Sequence, residues 1–190
     1  MSILQRLIYS VWYFRKPPWD TGISPPELLA FLNAHPPGRA LDMGCGTGTN
    51  CIAMARYGWQ VTGIDYALPA ILSARRKARQ AGFQIDLQVG DVLCSVFPER
   101  SINLILDMGC FHHLDHTQKQ LYRDNLKRWL AHQGFFMLYG FLKSETDPNS
   151  IGIDQQDLTA LCEQFELIDR QDGSDRIGRA STWLNFRRTT

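Results

Sequence analysis

From residue 39 onward the chain alternates short apolar runs with stretches of helical spacing. Ala40–Met43 reads as a strand, Thr49–Tyr57 as a helix closed by Gly58, and Gln60–Ile64 as a second strand. Pro69 stands near the start of a helix that runs to Gln80 and stops at Gly82. Ile85–Val89 and Ile102–Leu106 follow as strands, the latter almost wholly apolar. A helix over Thr117–Ala131 carries Leu121, Leu126, Trp129 and Leu130 on one side and ends before Gly134. Phe135–Gly140 is a fifth strand, Asp157–Phe165 a helix, Leu167–Asp169 a short strand, and Thr182–Phe186 the last. Apolar strands alternating with helices predict a parallel sheet covered on both faces.

Ahead of this pattern, Ile3, Leu4, Leu7, Ile8, Val11 and Trp12 recur at helical spacing without the small-residue cleavage site of a signal peptide. This segment reads as an amphipathic helix packing on the domain. Arg6, Arg15 and Lys16 also suit a membrane surface, so peripheral contact through residues 1–16 stays open. No apolar run approaches the roughly 18 residues of a membrane span. The expected organisation is a helix and cap or lid over residues 1–38 and a ligand-binding domain over 39–190, within one compact domain. Residues 16–26 and 143–152 are loop-like, and neither is long enough to link domains.

Composition changes this picture little. The chain has 190 residues and a net charge of +1, which leaves no electrostatic footprint for nucleic acid. Five cysteines without a C-x-x-C pair argue against a disulfide framework and a zinc ribbon, and for a reducing, cytoplasmic compartment.

The chemistry starts at LDMGCGTGTN, residues 41–50, where a strand hands over to a helix. In an open parallel sheet, ligands bind at the carboxyl ends of strands. The dinucleotide fingerprint G-x-G-x-x-G would need a glycine at position 49, which is Thr49. The pattern is instead D-x-G-x-G-x-G, and the leading Asp42 suits a cofactor with a cationic amine better than a pyrophosphate. Asp65 closes VTGID, where a carboxylate can accept both hydroxyls of a ribose. Asp91 follows the third strand in VGDVL, where a carboxylate could accept a hydrogen bond from an exocyclic adenine amine, and Asp107 closes INLILD. A single acid after a strand is usually a turn residue. Four at successive strand ends, behind a glycine loop, describe a site.

LDMGCGTG, VTGIDY, GDVL and LILDMGCFHHL resemble, in order, the motifs of class I S-adenosylmethionine-dependent methyltransferases. The resemblance covers about residues 39–141. It implies a Rossmann-like, three-layer α/β domain with a mostly parallel seven-stranded sheet and an antiparallel last strand. It implies S-adenosylmethionine as cofactor, with Gly44, Cys45, Gly46 and Gly48 around its methionine portion and Asp42 nearby. It further implies Asp65 on the ribose, Tyr66 against the adenine, Asp91 and Val92 at the adenine edge, and Asp107 facing the reaction centre.

The acceptor side is less defined. His112 and His113, with His116 a turn later, are candidate general bases, since histidine switches charge near pH 7; a packed structural histidine is the alternative. HHLDH crowds its potential ligands into one loop without a distant Cys or His partner, so no metal is assigned. KPPWDTGISPP, residues 16–26, resembles the segment before the core of thiopurine, thiol and halide methyltransferases, which implies Trp19 lining the pocket and Asp20, Thr21 and Gly22 near the methionine end. After Asp107 the chain departs from that subgroup, leaving S, O, N and halide acceptors open. The expected activity is methyl transfer to a small molecule, with no nucleic-acid partner. A nucleotide-dependent oxidoreductase and a non-catalytic S-adenosylmethionine-binding regulator are the alternatives.

Overall fold

Ala40, Leu41, Asp42 and Met43 are all buried, as a strand covered on both faces requires. The computed structural model describes Tyr13 and residues 17–144, 146–147, 150–175 and 177–189. The helix expected over Ile3–Trp12 therefore lies outside the described residues. Tertiary contacts divide the chain between Ser95 and Val96 into two compact units.

The N-terminal unit runs α1 (Pro26–Ala34), β1 (Arg39–Met43), α2 (Thr49–Arg56), β2 (Gln60–Asp65), α3 (Leu68–Gln80) and β3 (Asp86–Val89). β1 pairs in parallel with β2, and β2 with β3, so that Leu41 faces Thr62 and Thr62 faces Asp86. Parallel neighbours need a crossover, which α2 and α3 supply. Met54 and Ile71 from these helices are fully buried with Leu41, Met43 and Ile64 of the strands.

The C-terminal unit runs β4 (Ile102–Met108), a 3-10 turn (Phe111–His113), α4 (His116–Trp129), β5 (Leu130–Phe141), α5 (Gln155–Cys162), β6 (Glu166–Ser174) and β7 (Ala180–Arg187). β4 and β5 are parallel. β7 lies between β5 and β6 and is antiparallel to both. The seven strands form one mixed sheet, the Rossmann-like α/β fold expected, with its last strand reversed.

Three elements depart from the pattern reading. Helix α1 has no counterpart there, although Leu28, Phe31 and Leu32 form a buried stripe at helical spacing. Helix α4 stops at Trp129 and β5 begins at Leu130, five residues before the expected strand. The last helical carbonyls explain this: Arg128 and Trp129 accept the amides of Arg100 and Ser101, and the Arg188 guanidinium donates to Lys127 and Leu130. These partners end the helix where its propensity alone would carry it on. Strand β6 spans nine residues, every one exposed, so it has no apolar alternation to announce it. Its pairing with β7 defines it instead.

Candidate functional site

In the N-terminal unit the site is built on the turn from β1 to α2. The amides of Gly44 and Cys45 both donate to the Ile64 carbonyl, at 2.8 and 3.0 Å, and the Gly48 amide donates to Cys45 at 2.9 Å. The Gly46 amide goes to the Asp65 carboxylate at 2.9 Å. Four amides of this loop are thus used inside the protein. A phosphate cradle works the other way, by pointing its amides at the ligand. The loop is therefore not one.

Two glycines show why nothing larger fits. Gly48 has φ +79°, and a Cβ there would meet Ala74 Cβ of α3 at 2.9 Å, so its lack of a side chain lets α3 close on the loop. Gly46 has φ +53°, and a Cβ there would meet the Tyr13 hydroxyl at 3.2 Å. Tyr13 Oη in turn accepts the Trp19 indole N–H at 3.3 Å, and the two rings meet edge to face. Trp19 is half exposed.

The acids behind the loop are buried. Asp42 accepts the Cys51 thiol at 3.2 Å. Asp65 accepts the Ala67 amide at 2.8 Å besides that of Gly46, has no basic partner among the described residues, and has its carboxyl pushed above the ordinary range by burial. The thiol pKa values of Cys45 and Cys51 are both raised; the two free thiols hydrogen-bond to each other, lie buried and face the charge of Asp42. They are protonated packing groups, inert as nucleophiles. Asp91 is half buried and accepts the Leu93 amide at 3.0 Å, making the turn after β3. Tyr66 and Val92 are half buried.

Residues 17–20 are held to the glycine loop by a chain of contacts that the sequence pattern did not reveal. Thr47 Oγ1 donates to Asp20 at 2.9 Å, and Lys77 of α3 donates to Thr47 Oγ1 at 2.6 Å. Lys77 also lies 3.6 Å from the Asp20 carboxylate. Thr21 and Gly22 do not follow Asp20 toward the loop: Thr21 closes a local turn with Ile23, and nothing lies within 4 Å of a Cβ on Gly22. The T-G spacing in the loop and a basic residue on the following helix were the available signals for Thr47 and Lys77. Neither is specific on its own.

In the C-terminal unit Asp107, the last residue but one of β4, is fully buried. It accepts the amides of Gly109, Cys110 and Phe111 at 2.9, 2.7 and 3.0 Å, and the Tyr122 hydroxyl at 2.5 Å. A carboxylate has about four acceptor sites, and all four are taken. Burial still outweighs these donors and pushes the Asp107 carboxyl up to about 6. Asp107 thus organises the 3-10 turn that carries both histidines.

The two histidines point to different surroundings. His112 is buried, and neither ring nitrogen has a hydrogen-bond partner among the described residues. Burial, then the charges of His113, Arg179 and Lys119, lower it to about 3, so it is neutral at pH 7. His113 is exposed, with its pKa lowered by partial desolvation and by Arg179. Lys119 is itself buried and bound to Asp157 at 2.5 Å and to the Gly152 carbonyl at 3.0 Å. Among the described residues no group of three or more His, Cys, Asp or Glu is arranged to hold a metal.

With this geometry in hand, comparison with known proteins is decisive at the family level. The family described as a methyltransferase domain matches residues 40–134, half of the chain. The chain belongs to the methyltransferase domain family. S-adenosylmethionine is the cofactor of this methyltransferase domain, which sets aside the oxidoreductase alternative. The residues present fit that group: buried carboxylates stand behind a glycine loop whose amides are already used. The domain resembles the N-methyltransferase NodS from Bradyrhizobium japonicum, solved with S-adenosyl-L-homocysteine, with a TM-score of 0.83 over 97% of this chain and 98% of that one, at 20% identity. It is 24% identical over 161 residues to a 2-heptyl-1-hydroxyquinolin-4(1H)-one methyltransferase of Mycobacteroides abscessus, covering 81% of this chain and 70% of that protein. It is 28% identical over 107 residues to the ribosomal RNA small subunit methyltransferase C of Alcanivorax borkumensis, covering 55% of this chain. The methyltransferase domain spans only 31% of that second relative's length. Among the described residues no helix is long and apolar enough to cross a membrane.

Proposed function

We propose that this methyltransferase domain transfers the methyl group of S-adenosylmethionine to a small-molecule acceptor. The observation that carries the reading is the closed hydrogen-bonding of the glycine loop. With the amides of Gly44, Cys45, Gly46 and Gly48 used internally, the loop turns none of these four donors toward a ligand and is backed by the carboxylate of Asp42. That surface suits the ammonium end of a methionine and repels a pyrophosphate.

The roles follow from what each residue's own hydrogen bonds leave open. Asp42, Gly44, Cys45, Gly46 and Gly48 would hold the methionine portion. Asp65 keeps acceptor capacity on both oxygens for the ribose hydroxyls. Tyr66 would lie on the adenine, with Asp91 and Val92 at its edge, and Trp19 would shield the methionine end together with Tyr13. Asp107 is a positioning residue, since its acceptor sites are filled by its own turn and Tyr122. His112, neutral far below pH 7, is a poor base, which leaves His113 as the candidate to take a proton. A cytoplasmic location and a small acceptor belong to the same reading; the five cysteines without a C-x-x-C pair support the first and the quinolone relative the second.

The Pro17–Gly22 stretch supports a second, narrower reading as a thiol, thiopurine or halide methyltransferase, because Asp20 is tied to the glycine loop as that resemblance implies. Peripheral membrane contact through residues 1–16 concerns residues that, Tyr13 apart, lie outside the described ones.

Calorimetric titration with S-adenosylhomocysteine and with NAD tests the main reading. Binding of the first and not the second is expected, and Gly46→Val should abolish it while circular dichroism stays unchanged. Full binding by Gly46→Val would overturn the placement of the loop. An acceptor screen following S-adenosylhomocysteine release, across thiols, halides, phenols and amines, separates the two readings.

A further inference from the structure

Five rings of the C-terminal unit stand in one continuous row. His113 and His112 are 4.2 Å apart between centroids, and His112 and Phe141 are 4.8 Å apart. Phe141 and Tyr139 follow at 6.2 Å, and Tyr139 and Trp183 at 5.2 Å. The order has a simple origin. Tyr139 and Phe141 are two residues apart on β5 and share a face. Trp183 is the direct cross-strand partner of Tyr139 on β7. The histidines come from the turn that Asp107 fixes at the end of β4.

The row lies at the carboxyl ends of β4 and β5, where open α/β sheets bind their ligands. Phe141, Tyr139 and Trp183 are each only half buried. Over the middle of the row the Arg179 guanidinium stands 3.8 Å from the centre of the Phe141 ring. Asp175 holds its Nε and one Nη at 2.8 and 2.7 Å, and the other Nη has no partner among the described residues. His112, inside the row, leaves both ring nitrogens unpartnered at 3% exposure. A buried polar atom without a partner is unfavourable, and an incoming polar group at this end of the row would relieve it.

We infer that the acceptor is a flat aromatic ring bearing an acidic O–H or N–H, that it lies against Phe141, Tyr139 and Trp183, and that His113 takes its proton beside Arg179. This rests on the methyltransferase reading above. Half-buried rings favour a planar, polarisable partner over an aliphatic one. The Arg179 charge favours the deprotonated ring oxygen or nitrogen, while desolvation and then the Arg179 charge lower the His113 pKa and leave its ring neutral, able to accept a proton. In the transfer, the acceptor atom forms a bond to the methyl carbon and the methyl–sulfur bond breaks with its electron pair left on sulfur. The acceptor's proton passes to His113, giving a histidinium and S-adenosylhomocysteine.

The test uses the full chain saturated with S-adenosylhomocysteine and two probes, 4-hydroxyquinoline and its saturated counterpart decahydroquinolin-4-ol. Calorimetry should show the flat probe binding at least about tenfold tighter, and Phe141→Leu and Trp183→Leu should each weaken it roughly three- to tenfold. On the unaltered chain, the flat probe should shift the His113 ring protons in NMR spectra, a readout independent of whether the variants fold. Equal binding of the two probes, or unmoved His113 signals, overturns the inference while S-adenosylhomocysteine binding keeps the methyltransferase reading. Flat-probe binding that needs Phe141 and Trp183, in a chain that fails to bind S-adenosylhomocysteine, keeps the ring row and sinks the methyltransferase reading.

Discussion

The Asp65 carboxylate at the end of β2 accepts the Gly46 amide at 2.9 Å and the Ala67 amide at 2.8 Å, tying the glycine loop to the neighbouring strand. Asp65→Asn keeps the shape and breaks this relationship. Its amide nitrogen must face one of two N–H donors. Loss of a charge-assisted bond at this cost should weaken S-adenosylhomocysteine binding roughly ten- to hundredfold by calorimetry. Binding as tight as that of the unaltered chain would remove Asp65 from the cofactor site.

Thr47 joins Asp20 to Lys77, so Thr47→Val should release residues 17–20 from the loop. Lys77 is one-third exposed, and the global stability change should stay below about 1 kcal/mol. The local change should be larger. The amides of Asp20 and Thr21, bonded to Pro17 and Trp19, should exchange with deuterium severalfold faster. Unchanged exchange would mean that other contacts hold this segment.

At Asp107 the native pKa of about 6 lies above the ordinary 3.8, so the fold favours the protonated carboxyl. That contribution is complete below about pH 4 and is lost as pH rises through about 6. Tyr122 opposes it by donating to the charged form. Tyr122→Phe should therefore raise the Asp107 pKa further, seen in its carboxyl carbon shift. The stability lost should be about 1–3 kcal/mol at pH 8, where the carboxylate is charged, and less at pH 5. An equal loss at both values would show that Tyr122 acts through packing alone.

The fold was legible where burial is two-sided or periodic. β1, β2 and β4 are apolar runs, and the glycines and acids that bound them mark the strand ends. β6 was not legible beyond its first residues, because all nine of its side chains face solvent and only its partner β7 selects it. The early end of α4 depends on Arg100, Ser101 and Arg188, which are distant in sequence. The candidate site divides in the same way. Asp42, the glycines and Asp65 are contiguous with strand ends and could be read directly. Lys77, Tyr122 and Arg179 act through side chains reaching across 30, 15 and 38 residues, to Thr47, Asp107 and Phe141. Nothing local in the sequence marks such reach.

His112 gives the sharpest dependence on acid. Its native pKa of about 3 lies below the ordinary 6.5, so the fold favours the neutral ring. The resulting stability is fully present above about pH 6.5 and is lost as pH falls toward 3. Half-way, at pH 4.5, the unfolded chain has protonated this ring and the folded chain has not, a difference of about 2–3 kcal/mol. Leucine has comparable bulk and no ring nitrogens to leave unpartnered. His112→Leu should be near neutral or slightly stabilising at pH 7 and should gain about 2–3 kcal/mol over the unaltered chain at pH 4.5, in guanidinium unfolding at both values. The cause lies in the surroundings: His113, Arg179 and Lys119 oppose a charge on this ring, and burial removes the water that would offset them. A gap between the two chains that stays constant from pH 7 to 4.5 would mean that His112 protonates in the folded chain as readily as in water.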